Sequence, residues 1–233
     1  MRGKIKYITI KEGFFLTPNR EDYLKLILEL GGHEKKISNK QIVAGLGVSA
    51  ASVSEMISKL EKEDLVLHFP YQGVQLTEQG SQTASSLMRR HRLWEVFLVE
   101  YLQYSWNDVH DDAEVLEHVT SDKLANKLEA FMNFPDYCPH GGRIPKENGI
   151  ISEKKRQTLA DYPVGSFIRI ARVLDEKELL DYLVSLDLKL QENYTIIEIA
   201  DYEGPITIQN QEKTIAVSFK AASTIFVDLL NEE

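Results

Sequence analysis

An apolar pattern of helical spacing that breaks at Gly47 and then resumes constrains this chain more than any other feature. Glycine adopts a positive φ at little cost, so Gly47 predicts a tight turn between two short helices. Ser49 follows the turn and is a predicted N-cap, because its hydroxyl can accept from a backbone N–H that has no partner inside the helix. Two helices joined in this way form a helix-turn-helix. Its predicted core positions are Ile42, Leu46, Val48, Val53 and Met56.

Predicted elements on both sides extend this motif. Upstream, residues 19–30 carry an apolar stripe of helical spacing that ends at two glycines. Downstream, residues 65–69 and 74–76 alternate apolar and polar side chains around the turn Tyr71-Gln72-Gly73, as two short strands do. A helix-turn-helix followed by a hairpin is a winged helix, which we expect to span residues 17–79.

A winged helix predicts DNA binding through its second helix. When that helix lies in the major groove, the side chains at its start face the base edges. The candidate base-facing residues are Ser49, Ala51, Ser52 and Glu55, with Lys59 nearer the phosphates. The alternative is that these five residues are ordinary solvent-exposed helix positions.

Histidine and carboxylate side chains form two stripes farther along the chain. The first stripe lies on one face of a predicted helix near residues 108–118 and comprises His110, Glu114, Glu117 and His118. The second consists of His91 and Glu95, spaced i and i+4 on a long predicted helix over 78–104. Stripes on consecutive helices can converge on one divalent cation, and Asp22, near the start of the first helix, could join them. The alternative is a solvated acidic face with incidental histidines.

The middle segment has three predicted helices, over 78–104, 108–118 and 121–134, with more large apolar side chains than they can bury by themselves. These side chains include Leu93, Trp94, Phe97, Leu98, Tyr101, Leu124, Leu128 and Phe131. We expect the excess to form the interface of a homodimer. A loop rich in proline and glycine over 133–145 and a polar linker end the segment.

The periodicity changes from helical to alternating after residue 161. Short strands are predicted near 167–171, 194–199, 205–208 and 214–217, with one helix over 176–186. This pattern favours a small SH3-like β-barrel, and the chain as a whole is therefore of the α+β class. The expected domains are an N-terminal extension (1–16), a winged helix-turn-helix (17–79), a helical metal-binding and dimerisation domain (80–145), a linker (146–161) and an SH3-like domain (162–233).

Composition narrows the class of protein. A hydrophobic content of 43% over 233 residues is enough for two modest cores. We find no run of about 18 apolar residues and no secretion signal, which predicts a cytoplasmic protein with no membrane partner. The single cysteine, Cys138, excludes an internal disulfide. The net charge is −9 and the acidic residues are concentrated in residues 93–233, so the near-neutral segment 17–92 is compatible with a locally basic DNA-binding face.

Several of these motifs resemble the diphtheria-toxin-repressor and manganese-transport-regulator family of metal-dependent transcriptional repressors. The similar stretches are Asp22-Tyr23, the helix-turn-helix through Val53, Met88 to Leu93 with Glu95, and Val109 to His118. The resemblance covers residues 17–233 and includes a C-terminal SH3-like domain similar to that of the iron-transport FeoA proteins. The loop Cys138-Pro139-His140 most resembles the streptococcal and enterococcal manganese-responsive branch.

The resemblance implies a function and two metal sites. The function is a Mn²⁺-activated, homodimeric repressor that binds an inverted-repeat operator in double-stranded DNA, controls manganese and iron transport genes, and is not an enzyme. One site would use Glu95, Cys138, His140 and Asp175, and the other Asp22, His91, Glu114, Glu117 and His118. His110 is left outside both sets.

The ligand types bear on the metal. The resemblance places Glu114 and Asp22 where iron-responsive relatives have cysteine and methionine, and the harder oxygen ligands favour Mn²⁺. Fe²⁺ is the alternative activating ion, and Zn²⁺ or Cd²⁺ can substitute because the Cys138 thiolate is a soft ligand.

Two other functions are compatible with clustered histidine and glutamate. One is a metal-dependent hydrolase, although no general base distinct from the predicted ligands is evident. The other is a metal-buffering scaffold whose winged helix contacts protein. Metal-dependent retention on specific DNA separates the repressor from both.

Overall fold

A computed structural model describes residues 16–151 and 156–230 of the chain. Apart from Leu16, the predicted N-terminal extension lies outside the described residues. The chain divides into two compact units, one up to Ala84 and one from Ser85 onward.

The first unit is the predicted winged helix. Its elements are α1 (Pro18–Glu29), α2 (Asn39–Leu46), α3 (Ala50–Lys62), β1 (Val66–Phe69) and β2 (Gly73–Leu76). Gly47 ends α2 in the left-handed conformation with φ 66°. Ser49 caps α3, because its side chain accepts from the backbone N–H of Ser52. Both local predictions for the helix-turn-helix are therefore confirmed.

The wing is an antiparallel hairpin held against the segment before α2. β1 and β2 pair from Val66 with Leu76 to Phe69 with Gly73, and Ile37 bridges to Val74. Gly73 has φ 109°, and a Cβ there would lie 2.2 Å from the carbonyl oxygen of Ile37. Only glycine permits this close approach of the two backbones.

Among the described residues, no single helix has both the length and the apolar character to cross a membrane; α2 and α3, bent by 111°, meet those criteria only as a pair.

The second unit contains most of α4 (Glu78–Leu102), which begins in the first unit, followed by α5 (His110–Val119) and α6 (Asp122–Phe131). α4 and α6 end earlier than the apolar periodicity predicts. Gln103 follows α4 with φ 61°, and Asn133 and Phe134 follow α6 with φ 60° and 58°, so the backbone turns left-handed at both ends. α4, α6 and the loop after α6 share a core formed by Leu93, Val96, Ala125, Leu128, Met132, Cys138 and Ile144. α5 packs on α4 through a second cluster, formed by Leu98, Val109 and Ala113.

The remainder of the second unit is a five-stranded antiparallel sheet in the order β6-β5-β4-β3-β7. Its elements are a 3-10 turn (Leu159–Asp161), β3 (Phe167–Val173), α7 (Lys177–Ser185), β4 (Asn193–Ile199), β5 (Ile206–Gln209), β6 (Thr214–Val217), α8 (Phe219–Ala222) and β7 (Ile225–Leu229). Leu180 and Leu183 of α7 pack into the core of the sheet. The α+β class is confirmed.

The strand β7 is absent from the sequence prediction. It pairs with β3, more than 50 residues earlier in the chain, and Ile168 lies opposite Leu229. In β7 only Ile225 and Val227 are buried on alternate positions. Two alternating apolar residues are too few to indicate a strand when the pairing with β3 is unknown.

The helical part of the second unit leaves a set of aromatic side chains exposed. Of the apolar residues expected in excess of the core, Leu93 and Leu128 are buried, whereas Tyr101 and Phe131 remain 44% and 63% exposed. The rings of Tyr101 and Phe131 lie 5.1 Å apart, and Phe97 stacks on Tyr101 at 5.6 Å. A contiguous aromatic surface of this kind is typical of a protein–protein interface.

We expect Phe131→Asp to weaken homodimer formation, because it places a carboxylate in the middle of the aromatic surface. Losing a central aromatic contact of about 2 kcal/mol corresponds to a roughly 30-fold higher dimer dissociation constant. Sedimentation equilibrium of the full chain measures this constant. Tyr202→Asp, at a fully exposed aromatic outside that surface, is the control. Equal dissociation constants for wild type and Phe131→Asp would contradict the assignment.

Candidate metal centre

Helix α4 presents His91 and Glu95 on one face, both almost completely buried. Their exposed fractions are 4% and 1%. The Nε2 atom of His91 lies 3.2 Å from the carboxylate oxygen Oε1 of Glu95. A buried carboxylate is costly unless it is paired, so the surroundings of Glu95 determine what this site can do.

A tight loop brings Cys138 and His140 to the same carboxylate. The backbone N–H of Cys138 donates to Gly142, and that of Gly141 donates back to Cys138, both at 2.9 Å. His140 Nδ1 lies 2.9 Å from Glu95 Oε1. Donor atoms of Glu95, Cys138 and His140 all lie within 4.8 Å of one another, and the three residues are buried. The structure thus brings together three of the four residues predicted for one site.

The fourth predicted ligand, Asp175, lies in the connection between strand β3 and helix α7. Its Oδ2 atom is 3.2 Å from His91 Nε2 and 2.6 Å from His110 Nδ1. Its other oxygen, Oδ1, lies 3.6 Å from His140 Nδ1. Asp175 therefore directs Oδ2 toward His91 and His110 and Oδ1 toward His140.

His110, which the sequence prediction leaves out, belongs to this cluster. Donor atoms of His91, Glu95, His110 and Asp175 lie within 4.8 Å of one another, and the rings of the two histidines are 5.1 Å apart. In the sequence, the i to i+4 spacing of His110 and Glu114 is the feature that indicates His110 as a possible ligand. Only the fold shows that Asp175 lies beside His110.

The second predicted set gathers around the other nitrogen of His91. His91 Nδ1 lies 2.6 Å from Glu117 Oε2 and 3.7 Å from Glu114 Oε2. His118 Nε2 lies 3.6 Å from Glu117 Oε1. These four residues come from α4 and α5, whereas the fifth predicted ligand, Asp22, lies on α1 in the first unit.

The electrostatics are those of negative charges balanced by imidazolium groups. Burial would raise the pKa of Glu95, but the charges and hydrogen bonds of His91 and His140 outweigh it and hold that pKa well below its usual range. Burial would lower the pKa of His140, but its bonds to Cys138 and Glu95 raise it to about 11. Burial raises the pKa of the Cys138 thiol. The raised pKa values of His140 and His110 favour their charged forms, which carry positive charge of the kind that a divalent cation would supply.

Two buried carboxylate oxygens beside His140 have no hydrogen-bond partner within the described parts of the chain. They are Glu95 Oε2 and Asp175 Oδ1. Buried polar atoms are nearly always satisfied, so two orphaned oxygens beside an imidazole and a thiol fit a bound cation. Carboxylate, imidazole and thiolate are also the donor types that divalent transition metals take.

The predicted DNA-facing residues share an exposed face of the first unit. Ala51, Ser52, Glu55 and Lys59 lie on α3, and all are exposed. The hydroxyl groups of Ser49 and Ser52 lie 2.9 Å apart, and Lys59 Nζ lies 2.7 Å from Glu55 Oε1. The exposed face of α3 thus carries hydroxyl groups and a paired ammonium and carboxylate, which is compatible with contact to DNA.

Three family models match consecutive parts of the chain. Residues 15–74 match "Iron dependent repressor, N-terminal DNA binding domain", residues 77–146 match "Iron dependent repressor, metal binding and dimerisation domain", and residues 157–229 match "FeoA domain".

Relatives match over nearly the whole chain. The diphtheria toxin repressor of Corynebacterium diphtheriae is 27% identical over 92% of this chain and 99% of its own length. The structure of the manganese regulator SloR is 42% identical, covers 92% of this chain and 100% of that chain, and has a TM-score of 0.80. ScaR, described as a manganese-activated repressor, has structures with bound Zn²⁺ and Cd²⁺. They are 36% and 37% identical, each covers 91% of this chain and 100% of that chain, and each has a TM-score of 0.81.

We expect Glu95→Gln to reduce the number of Mn²⁺ ions bound per chain from two to one. The substitution preserves shape but removes the buried charge that faces His140 and Cys138. Equilibrium dialysis with Mn²⁺ measures the stoichiometry. Glu100→Gln, at an exposed position on the same helix, is the control. A variant that still binds two ions would remove Glu95 from the ligand set.

Proposed function

This chain belongs to the iron-dependent repressor family and is a metal-dependent transcriptional repressor, and we propose that Mn²⁺ is the ion that activates it for DNA binding. The observation that carries this proposal is the buried cluster around Glu95 with its two orphaned oxygens. The chain is not an enzyme, since the family consists of DNA-binding regulators. The hydrolase alternative is wrong, and the family assignment also favours the repressor over a metal-buffering scaffold.

We retain the two predicted ligand sets as proposals. Glu95, Cys138, His140 and Asp175 form one set, supported by Glu95 Oε2 and Asp175 Oδ1, which are buried and unbonded beside the imidazole of His140. Asp22, His91, Glu114, Glu117 and His118 form the other. The short distance between His91 and Glu117 supports it. Asp22 remains in the set on the strength of the sequence resemblance.

The donor atoms favour manganese. The second set has three carboxylates and two imidazoles, and carboxylate oxygens suit Mn²⁺ better than the softer metals. SloR is described as a manganese regulator and ScaR as manganese-activated. Fe²⁺ is the alternative activator, and Zn²⁺ or Cd²⁺ can replace Mn²⁺ at the Cys138 site because thiolate is a soft ligand. ScaR has structures with bound Zn²⁺ and with bound Cd²⁺. A cation in either set supplies positive charge that offsets the buried carboxylates.

The proposal also assigns a role to each domain and a symmetry to the DNA operator. We assign residues 17–79 to DNA binding, 80–145 to metal binding and dimerisation, 146–161 to a linker and 162–233 to an SH3-like domain, with 1–16 as an extension. A homodimer presents two copies of α3, which fits an inverted-repeat operator whose half-sites follow the two-fold axis. The regulated genes are those of manganese and iron transport, and the protein acts in the cytoplasm.

We expect Mn²⁺ to raise operator affinity about 5–150-fold, the range of ordinary allosteric coupling. Glu117→Ala should lose most of this increase, because Glu117 is fully buried and lies 2.6 Å from His91. A mobility-shift titration with and without Mn²⁺ measures the ratio. Asp111→Ala, at an exposed carboxylate on the same helix, should behave as wild type. Metal-independent binding by wild type would refute the proposal.

Lys59→Ala should weaken binding to operator and unrelated DNA alike, because an ammonium that contacts phosphate carries no sequence information. The plot of the log association constant against the log salt concentration has a negative slope, and the magnitude of that slope should decrease by about one. Fluorescence anisotropy across a salt series measures it. Lys220→Ala, at an exposed lysine in the second unit, is the charge-matched control. An unchanged slope would mean that Lys59 does not contact a phosphate.

A further inference from the structure

We propose that Trp106 is a positioning residue for His140, and that it links this ligand to the packing of the C-terminal sheet. The inference rests on the proposed metal site of Glu95, Cys138, His140 and Asp175, and it adds a residue that belongs to neither ligand set. Trp106 lies in the connection between α4 and α5 and is half-buried.

The backbone of Trp106 determines which nitrogen of His140 faces the cation. His140 Nε2 lies 2.6 Å from the carbonyl oxygen of Trp106, and Nδ1 lies 2.9 Å from Glu95 Oε1. A carbonyl oxygen can only accept, so Nε2 carries the proton. Nδ1 is therefore the nitrogen that His140 offers to a metal ion. Histidine ligands in proteins are commonly oriented in this way, by donating their second N–H to a carbonyl oxygen or a carboxylate.

The connection that carries this carbonyl is held by the sheet domain. A turn closes where the backbone N–H of Asp108 donates to Ser105 at 3.0 Å. The Asn107 side chain donates to Asp181 at 2.7 Å, and Lys177 lies 2.5 Å from Asp108. Both Lys177 and Asp181 lie on α7. Each surface contact is weak by itself, but together they restrict the turn on both sides of Trp106.

The side chain of Trp106 makes a separate contact with the same domain. Its indole packs against the core of the sheet, which includes Leu159, Ile168 and Leu180. The indole and the His140 imidazole are tilted by 34°, with centroids 5.8 Å apart. Losing the indole would therefore free the backbone carbonyl as well as expose the core.

His140 is held to the sheet at its backbone as well. The backbone N–H of Val173 on β3 donates to the carbonyl of His140 at 3.0 Å. Gly141 has φ 80°, and a Cβ there would lie 2.2 Å from the carbonyl oxygen of Ala171. His140 is thus fixed at its backbone by β3 and at its ring by Trp106. Metal affinity at this site and the packing of the sheet should each depend on the other.

The test measures occupancy of the Cys138 site in the whole 233-residue chain, with Co²⁺ as the probe. The absorption band of a Co²⁺–thiolate bond reports this site specifically, because Cys138 is the single cysteine. We expect Trp106→Leu to weaken Co²⁺ binding about 10–100-fold, as loss of an orienting partner typically does, and Trp106→Phe to stay within about threefold of wild type.

The matched control is Tyr162→Leu. Tyr162 is another half-buried aromatic residue that packs against the same core, so its loss reproduces the packing defect and leaves the carbonyl of Trp106 in place. Equal weakening in Trp106→Leu and Tyr162→Leu would overturn the positioning role, as would an unchanged Co²⁺ affinity in Trp106→Leu.

A second measurement needs no variant. Long-range ¹H–¹⁵N spectra of wild type loaded with Zn²⁺ should show His140 bound through Nδ1, with Nε2 protonated. Coordination through Nε2 would overturn the inference even if Trp106→Leu fails to fold. A wild-type protein without the Co²⁺–thiolate band would instead overturn the proposed ligand set itself. A normal wild-type band that Trp106→Leu leaves unchanged contradicts the positioning role alone.

Discussion

The burial of the Glu95 carboxylate is the constraint on which the second unit depends. With 1% of its surface exposed, Glu95 has lost its hydration, and that loss costs several kcal/mol unless nearby charge compensates it. The charges and hydrogen bonds of His91 and His140 compensate it and hold the pKa of Glu95 well below its usual range. One oxygen of Glu95 nevertheless has no hydrogen-bond partner within the described segments, and this incomplete compensation favours the proposed ligand site over an ordinary buried ion pair.

The site is assembled from parts that are far apart in the chain. α4 provides His91 and Glu95, the loop after α6 provides Cys138 and His140, and the connection from β3 to α7 provides Asp175. A cation bound by all three parts would stabilise the arrangement of the helical domain against the sheet, because it binds the folded site and not the separated segments. In the proposed site the FeoA-like domain takes part in metal sensing, since it contains Asp175 and its strand β3 bonds to the backbone of His140.

Local sequence patterns predicted most of the elements. The left-handed Gly47, the N-cap Ser49 and the hairpin turn that ends at Gly73 each depend on residues only a few positions away, and the structure contains all three as expected. The prediction failed where the signal was shorter than an element or depended on a distant partner. β7 has only two buried positions, and they indicate a strand only once the pairing with β3 is known. α6 ends at Phe131 because the left-handed backbone at Asn133 and Phe134 interrupts an apolar periodicity that continues in the sequence.

The sequence by itself determined the types of ligand and their spacing along each helix, because the i to i+4 geometry of a helix is set locally. It also determined the family, through motifs spread over residues 17–233. The family resemblance grouped Asp175 with Glu95, Cys138 and His140, whereas the tertiary structure alone showed that Asp175 also lies beside His91 and His110. Asp175 lies 84 positions after His91, and no local rule places it beside His110 or turns its second oxygen toward His140. The role of the Trp106 carbonyl likewise depends on the fold, because a backbone oxygen has no sequence signature and gains its partner only through long-range packing.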